Sequence, residues 1–263
     1  MVPSPEIAAR GSLEVIDFLG RLKVSQLTGC LDLKAMDLTT LSHQLTETTP
    51  TRIAFFQDNR LTKLPEDIDR MTQIRELHLD HNPMNSLPDQ LGKLNTLQIL
   101  SIEEMEGGIH RLPNSMEGLY NLVVLKAMGN GILELPNCFK YIKALAYVDL
   151  RRNKLKKLPP SFSSCERLEV LLLEDNELEE LCKGMSAFDQ LHTINLRNNR
   201  LTRLSRGLGS LLKVNKESKN RLVNYDIGGN QWEMPTEEVS VPQHSPTAAC
   251  SATFACCELF WIL

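Results

Sequence analysis

LAYVDLRRNKLKKLPPSFSSCERLEVLLLEDNELEEL, residues 145–181, is the stretch of sequence that decides the fold. It contains two copies of the pattern Leu-x-Leu-x-x-Asn, with a conservative replacement in the first. One copy runs from Val148 to Asn153, and the other runs from Leu171 to Asn176, 23 residues later. An amphipathic helix repeats its apolar residues about every 3.6 positions. A 23-residue register therefore indicates repeated structural units rather than one helix.

The same register continues along most of the chain. The steps between units are 23 residues, apart from one of 25 and a last one of 31, and the first apolar residue of each unit is Leu31, Ala54, Leu77, Leu100, Leu125, Val148, Leu171, Ile194 and Tyr225. The asparagine recurs at Asn59, Asn82, Asn130, Asn153, Asn176, Asn199 and Asn230. Met36 and Met105 take its place in the first and fourth units. Five units continue into Leu-Pro, ending at Pro65, Pro88, Pro113, Pro136 and Pro159.

Each unit is predicted to form one coil of an α/β solenoid. Two apolar residues separated by one position lie on the same face of a strand. The Leu-x-Leu segments should therefore stack as a parallel β-sheet on the concave face of a curved horseshoe of about nine repeats. The asparagine amide, which can both donate and accept, is expected to bond backbone groups of neighbouring coils. Proline fixes φ and removes a donor, which favours an irregular return segment over a long helix.

The N-terminal segment, residues 1–28, is predicted to be a capping helix that precedes the repeat domain, residues 29–236. A helix start at Pro5 suits the preference of proline for the first helical position. Apolar residues recur at three-residue steps through Leu13, Ile16, Leu19 and Leu22, and this stripe is expected to close the core. Gly11 is the weak point of the predicted helix.

The C-terminal end is predicted to carry a lid and a tail. Trp232 is expected to cover the last hydrophobic layer. Residues 237–263 are interpreted as a disordered or atypical tail, which ends in ATFACCELFWIL (252–263). That apolar run is shorter than the roughly 20 residues that span a bilayer as a helix.

Composition and motifs favour a binding protein over an enzyme. A formal net charge of −4 provides no basic excess for nucleic acid. The seven cysteines lack the pattern of paired cysteine caps, and no secretory signal is recognised, so a cytoplasmic location is expected. Phosphate-binding and nucleophile motifs are not found, and His78 and His81 are expected to point apart rather than to share a metal. We predict a non-enzymatic monomer without cofactor, metal, nucleic-acid ligand or transmembrane segment.

The motif Leu-x-Leu-x-x-Asn-x-Leu-x-x-Leu-Pro, with its 23-residue period, resembles the intracellular Ras-group leucine-rich-repeat family, which includes the Ras suppressor protein and plant relatives. The resemblance covers about residues 12–236. The long last repeat, followed by Asn230-x-Trp232-x-x-Pro235, is similar to the end of the Ras suppressor domain. It implies a leucine-rich-repeat solenoid that acts as an adaptor in signalling or adhesion. Departures are the missing Leu-Pro after Leu41, Leu181 and Leu204, and the tail after Pro235.

The predicted binding surface is the concave face, where the residues flanking the leucines of each strand project outward. Its early half is expected to be acidic, with Glu76, Asp80, Glu103 and Glu104 clustered on adjacent strands. Its middle offers the apolar groups Met128, Tyr147 and Leu172, with Phe55 standing apart and arginines nearby. The predicted partner-binding residues are Phe55, Glu76, His78, Asp80, Glu103, Lys126, Met128, Tyr147, Arg151, Leu172, Glu174 and Arg197.

Three functions are compatible with such a surface. The first is an adaptor in intracellular signalling, with a small GTPase or a signalling complex as the partner that the resemblance implies. The second is a targeting or regulatory subunit of a phosphatase or ubiquitin ligase. The third is a structural component of a cytoskeletal or ciliary assembly. A detached recognition half of a receptor or enzyme is a weaker fourth alternative, because both ends of the solenoid look capped.

Overall fold

The computed structural model describes residues 5–48, 50–182, 184–203 and 224–233. Within them, nine short strands form one parallel sheet in which every strand pairs with its neighbours in sequence order. Each unit contributes one three-residue strand: β1 Cys30–Asp32, β2 Ile53–Phe55, β3 Glu76–His78, β4 Ile99–Ser101, β5 Val124–Lys126, β6 Tyr147–Asp149, β7 Val170–Leu172, β8 Thr193–Asn195 and β9 Asn224–Asp226. The register places Leu31 level with Ala54, and so on through Ile194 level with Tyr225. The predicted solenoid and its sheet are thereby confirmed.

The asparagines form the hydrogen-bond ladder that the sequence predicts. Asn59 shows the pattern: its amide donates to the Leu33 and Phe56 carbonyls, and its Oδ1 accepts from the Met36 and Leu38 backbone N–H groups. The bonds to Leu33, Met36 and Leu38 join one coil to the preceding coil. A buried backbone group that lacks a partner costs free energy, so each asparagine stabilises a turn that no strand partner reaches.

The described return segments are mostly short 3₁₀ helices of three to five residues rather than the irregular segments predicted, and they contain no long helix, as the Leu-Pro steps indicated. Four of them follow the prolines directly, at Glu66–Arg70, Asp89–Lys93, Asn114–Gly118 and Pro160–Ser164, and two lie at Phe139–Tyr141 and Met185–Ala187. The first unit, which lacks Leu-Pro, has a short α-helix instead, His43–Thr48. The two extra residues of the fourth unit include Gly107, where a Cβ would stand 2.7 Å from the Met84 carbonyl oxygen.

The N-terminal cap differs from the prediction in two ways. It consists of two helices, α1 Pro5–Arg10 and α2 Ser12–Thr28, because Gly11 adopts φ 122° and breaks the helix. The predicted buried stripe is also wrong: Leu13 and Ile16 are 79% and 64% exposed, and Leu19 is exposed as well. Only Leu22 of that stripe is buried.

The face of α2 that covers β1 runs through Phe18, Leu22 and Ser25, supported by Ile7 of α1. The sequence contains this second stripe at the same helical spacing. The prediction failed because α2 carries apolar residues on two faces, and periodicity alone does not say which face meets the core.

The convex side contains a row of buried aromatic rings. Phe139 and Phe162 lie with ring centroids 5.0 Å apart, and Phe162 and Phe188 lie 6.1 Å apart. Cys138, Cys165 and Cys182 are buried on the same side. Burial raises the pKa of the Cys165 thiol to about 12 and that of Cys138 to about 11, so both stay neutral. These cysteines act as small apolar residues, as predicted from their positions.

The last described unit carries the predicted lid. Trp232 packs against the core and donates from Nε1 to the Ile227 carbonyl oxygen over 3.1 Å. The tail at 237–263, Pro235 and the insertion around 213–220 lie outside the described residues.

Candidate protein-binding surface

The outward-facing residues of the strands form ordered columns on the concave face. The strand register places Asp32, Phe55, His78, Ser101, Lys126, Asp149, Leu172, Asn195 and Asp226 side by side. Eleven of the predicted site residues are half-buried, and Arg197 is exposed. A half-buried side chain on a regular sheet is held in place by its neighbours yet still accessible to a partner.

Phe55 belongs to the early half of the face. Its ring stacks on the His78 imidazole, with centroids 4.9 Å apart. The His78 Nε2 atom lies 3.6 Å from a Glu76 carboxylate oxygen, too far for a hydrogen bond, and it has no hydrogen-bond partner among the described residues. The sequence prediction that Phe55 is isolated from the apolar middle fits this arrangement, and its contact with His78 is what the prediction missed.

Asp80 and Glu103 form an acidic pair in neighbouring coils. Asp80 accepts through Oδ1 from the Ser101 hydroxyl over 2.6 Å and from the Glu103 backbone N–H over 2.7 Å. Burial and the nearby charges of Asp80 and Asp149 raise the pKa of the Glu103 carboxyl. The charged form of Glu103 is therefore disfavoured first by burial and then by the neighbouring carboxylates.

Asp149 and Arg151 form the shortest ion pair among the described residues of this face. Asp149 is 2% exposed, and the Arg151 guanidinium donates to both of its oxygens, at 2.6 Å from Nη2 and 2.9 Å from Nε. This bonding raises the pKa of Arg151 above its ordinary value. A two-pronged guanidinium–carboxylate pair fixes geometry as well as charge, so Asp149 holds Arg151 in one orientation. The sequence analysis did not identify Asp149 as the support of Arg151.

The late half carries an alternating charge ladder. Glu174 accepts from the Asn195 amide over 2.9 Å and lies 4.0 Å from the Arg197 guanidinium. Arg197 also lies 3.5 Å from the Asp226 carboxylate. Because these charges meet partners within the face, they offer less net attraction to a binding protein than the acidic pair does.

The apolar middle consists of Met128, Tyr147 and Leu172, all half-buried. Tyr147 and Leu172 belong to adjacent strands. Burial and the Asp149 carboxylate raise the pKa of the Tyr147 hydroxyl, which keeps it neutral. Lys126 lies between the acidic pair and this middle, since its strand pairs with those of Ser101 and Asp149.

Glu104 does not join the acidic cluster as the sequence suggested. It sits in the turn after the strand with φ 49° and pairs with Arg152 over 2.8 Å. Arg152 reaches it across the unit between them because Gly129 occupies the intervening turn, where a Cβ would stand 3.0 Å from the Glu104 Cγ. This left-handed turn position directly precedes the column asparagine, or the methionine that replaces it, and recurs at Ala35, Asp58, His81, Glu104, Gly129, Arg152, Asp175, Asn198 and Gly229.

The described residues show no metal-binding group of three or more His, Cys, Asp and Glu side chains. His78 and His81 point apart as predicted, since His81 bonds Asp58 over 2.8 Å while His78 stacks on Phe55. An open depression of about 570 Å³ lies on the return segments beside Asp67 and Lys93 rather than on the sheet. In the part of the chain that the structure describes, no helix has the length and apolarity of a membrane span.

We expect Glu103→Gln to raise the melting temperature at neutral pH by about 1–2 °C. A carboxyl whose folded pKa is raised above the ordinary 4.5 contributes stability that is fully present below pH 4.5 and is lost as pH rises through the folded value. At pH 7 the charge is therefore a cost that glutamine removes, and the gain should vanish near pH 4. Thermal unfolding at both pH values measures it.

The matched control for that prediction is Glu174→Gln, whose carboxylate faces Asn195 and Arg197. It should bring no gain at pH 7. The prediction is contradicted if both variants stabilise the protein equally, or if the gain from Glu103→Gln persists at pH 4. In either case the ionised Glu103 carboxylate is not what lowers the melting temperature at pH 7.

Three solved structures show which fold the chain shares. A leucine-rich-repeat protein of Leptospira interrogans matches over 76% of this chain and 54% of its own, at 20% identity and a TM-score of 0.66. The leucine-rich-repeat ectodomain of the Arabidopsis thaliana receptor kinase GASSHO1/SCHENGEN3, in complex with CASPARIAN STRIP INTEGRITY FACTOR 2, matches over 73% and 23% of the two chains at 23% identity and a TM-score of 0.60. TLR13, in its complex with ssRNA13, matches over 76% and 28% at 24% identity and a TM-score of 0.64.

The chain thus spans about half of the Leptospira protein and less than a third of the two receptors. No protein-family model matches the sequence, and no curated protein does. At these identities the comparisons speak for the fold alone. Together with the nine-stranded parallel sheet, they show that this chain is a leucine-rich-repeat solenoid.

Proposed function

We propose that the chain is a non-enzymatic adaptor that binds a protein on its concave face. The partner would place a basic side chain at Asp80 and Glu103 and an apolar group against Tyr147 and Leu172. The observation that carries this proposal is the pair of half-buried carboxylates, Asp80 and Glu103, in neighbouring coils. Burial, followed by the charges of Asp80 and Asp149, raises the pKa of Glu103. A cation from a partner would offset the repulsion between the Asp80 and Glu103 carboxylates, and this would contribute to the free energy of binding.

The geometry beside the acidic pair supports a protein partner. Tyr147 and Leu172 supply apolar area on adjacent strands, and Arg151 is held rigid by Asp149. Aromatic residues and arginine dominate the energy of protein interfaces when they are well packed. Side chains that are already ordered lose little entropy on binding, so this middle region is suited to be the centre of the interface.

The charge of the face argues for a protein rather than a nucleic acid. Its columns carry Glu76, Asp80, Glu103, Asp149 and Glu174 against Lys126, Arg151 and Arg197. Nucleic-acid affinity rests mainly on protein cations that neutralise phosphates. An acidic face repels phosphates. TLR13 is solved with an RNA, so the fold itself does not exclude RNA, and the argument rests on the residues of this chain.

The wider setting that we propose is signalling in the cytoplasm near a small GTPase. It rests on the resemblance of the repeat motif to the Ras-group family, and on the cysteines that stand as buried free thiols at Cys138, Cys165 and Cys182. Unpaired buried cysteines are typical of a reducing compartment.

The binding face can be located by photo-crosslinking in cells that express the full chain. A photoreactive residue at Leu172 or Met128 should capture the same polypeptide, whereas one at Tyr120, exposed on a return segment, should not. Capture only from Tyr120 would refute the concave face as the binding site. Identification of the captured polypeptide as a GTPase or GTPase regulator would support the proposed setting, and a catalytic phosphatase subunit would replace it.

We expect the double reversal Asp80→Lys, Glu103→Lys to weaken binding of the captured partner at least ten-fold and to invert its salt dependence. Attraction between the acidic pair and a basic partner is screened by salt in the original chain, so added salt should weaken that complex and rescue the variant. Titration calorimetry in about 50 and 300 mM salt makes the measurement. The control, Glu179→Lys with Glu180→Lys on an exposed return segment, should leave the affinity within two-fold. Unchanged binding by the concave variant discards the proposed site.

A further inference from the structure

The helix α2 has a second apolar face that nothing in the described structure covers. Leu13, Ile16, Val24 and Leu27 are 79%, 64%, 54% and 82% exposed, and Gly20 has no atom within 4 Å of where its Cβ would stand. At about 100° per residue, these five positions form one straight stripe on the side opposite Phe18, Leu22 and Ser25. The stripe runs about 21 Å along the helix at 1.5 Å per residue. We call it the outer stripe.

The order of residues in the outer stripe is symmetric about Gly20. Leu13 and Leu27 are each seven residues from Gly20, and Ile16 and Val24 are each four residues from it. If two copies of α2 pack antiparallel with Gly20 facing Gly20, each Leu13 meets the Leu27 of the other copy, and each Ile16 meets the other Val24. A two-fold interface requires a surface that is complementary to itself, and the outer stripe satisfies this requirement at every apolar position.

The flanking charges fit the same arrangement. In an antiparallel pair the same flank of each helix meets itself, with positions reversed about Gly20. Asp17 and Arg21 share one flank, joined within each helix by a 3.0 Å ion pair. The reversal brings Asp17 within one turn of the Arg21 of the other copy. The two Arg21 residues also come within about 3 Å of each other along the axis, but each guanidinium is paired within its own chain, with Asp17 at 3.0 Å and Asp32 at 3.7 Å. Lys23 lies on the other flank, about 9 Å along the axis from its own copy at 1.5 Å per residue, which avoids a like-charge contact.

We propose that the outer stripe joins two copies of this chain as an antiparallel helix pair, which replaces the monomer expected from sequence. Gly20 at the centre lets the two backbones approach toward the short end of the 8–10 Å range of helix packing. One helix face offers less than the roughly 800 Å² per partner of a standard interface, so the dimer should be weak, with a Kd of about 1–100 μM. The concave faces stay open, because α2 lies at the end of the solenoid beside β1.

Sedimentation velocity of the full chain between about 1 and 200 μM tests the proposal. The original chain should shift from monomer to dimer over this range. Ile16→Lys and Val24→Glu should each weaken the dimer at least ten-fold, because each places an unpaired charge against an apolar residue. Mixing the two variants should restore a heterodimer, since the introduced lysine of one copy then meets the introduced glutamate of the other, while the unchanged Val24 meets the unchanged Ile16. Leu133→Lys, at an exposed leucine far from α2, should dimerise like the original chain.

The mixture separates this register from any other association. In a parallel pair position 16 would face position 16. Mixing would then remove like-charge repulsion but would create no lysine–glutamate contact, so the affinity would stay well below that of the original chain. Dimerisation through another segment would survive both single variants. Either result overturns the proposal, as does a chain that stays monomeric at 200 μM, whatever covers the stripe instead. All variants change exposed positions, and an unchanged melting temperature of each confirms that they fold.

Discussion

Replacement of Asn153 by alanine is expected to lower the free energy of unfolding by about 3 kcal/mol. Its Oδ1 accepts from the backbone N–H groups of Asn130 and Ile132, over 3.2 and 2.9 Å, and its amide donates to the carbonyls of Ala127 and Leu150, each over 2.9 Å. Alanine leaves these buried groups without partners, and each unsatisfied group costs about 1–3 kcal/mol. Urea denaturation followed by circular dichroism measures the loss.

Two further variants test whether the loss comes from the hydrogen bonds of Asn153. Asn121→Ala removes an exposed asparagine with a single bond to the Asn95 carbonyl and should cost less than about 1 kcal/mol. Asn153→Asp keeps the acceptor but sets a carboxylate against the Ala127 and Leu150 carbonyls. Its folded pKa should be raised, so its deficit at pH 7 should shrink toward pH 4 as the carboxyl protonates. A loss at Asn153→Ala no larger than at Asn121→Ala would remove the ladder as the source of stability.

The repeat positions could be predicted from the sequence because each one is set by a local rule. The leucine pairs, the asparagine and the Leu-Pro step recur at fixed offsets, and the structure confirms the strands, the asparagine ladder and the lack of a long helix in the described return segments. The fourth unit, in which Met105 replaces the asparagine, departs from these fixed offsets. This unit is two residues longer than its neighbours, and Gly107 passes close to the Met84 backbone, whereas the first unit, with Met36 in place of asparagine, keeps the 23-residue step.

What the sequence did not reveal depends on contacts between units or on the choice between two equal faces. The stripe of Leu13, Ile16 and Leu19 had the right spacing for a buried face, yet Phe18 and Leu22 meet β1 instead. Glu104 was grouped with Glu103 because they are adjacent in sequence, but the left-handed turn directs it toward Arg152. The positive φ before each asparagine was a missed signal, since Gly129 and Gly229 stand at that position.

The candidate site was predictable as a face but not as a set of interactions. The alternation of strand residues predicts that His78, Lys126 and Leu172 project from the same side, and the register confirms it. The ion pair of Asp149 and Arg151 joins residues two positions apart. The burial of Asp149 to 2% exposure, between the strands of Lys126 and Leu172, could not be predicted from the sequence pattern. The distinction matters for binding, because paired charges such as Arg151 add rigidity, while the acidic pair of Asp80 and Glu103 adds net attraction.

Phe162→Ala should be among the most destabilising single changes, with a loss of about 3–5 kcal/mol. The Phe162 ring is fully buried between Phe139 and Phe188, so its removal opens a cavity between three successive coils. In a solenoid, each coil is stabilised mainly by its two neighbours, and this ring contributes to both of those interfaces. Denaturant unfolding of the variant measures the effect, and Phe162→Leu, which fills much of the space, should cost roughly half as much.

Tyr141→Ala is the matched control, since that ring lies on the same convex side but is 48% exposed, and its loss should stay below about 1 kcal/mol.

The Phe162 and Tyr141 variants also separate effects on stability from effects on binding. The aromatic row lies on the return side, away from the strand columns that carry Asp80 and Glu103, so a Phe162→Ala protein kept well below its melting temperature should bind the concave-face partner with an affinity within about two-fold of the original. If binding falls by more than the fraction of unfolded protein explains, the partner contacts the convex side. The concave face would then have only a structural role.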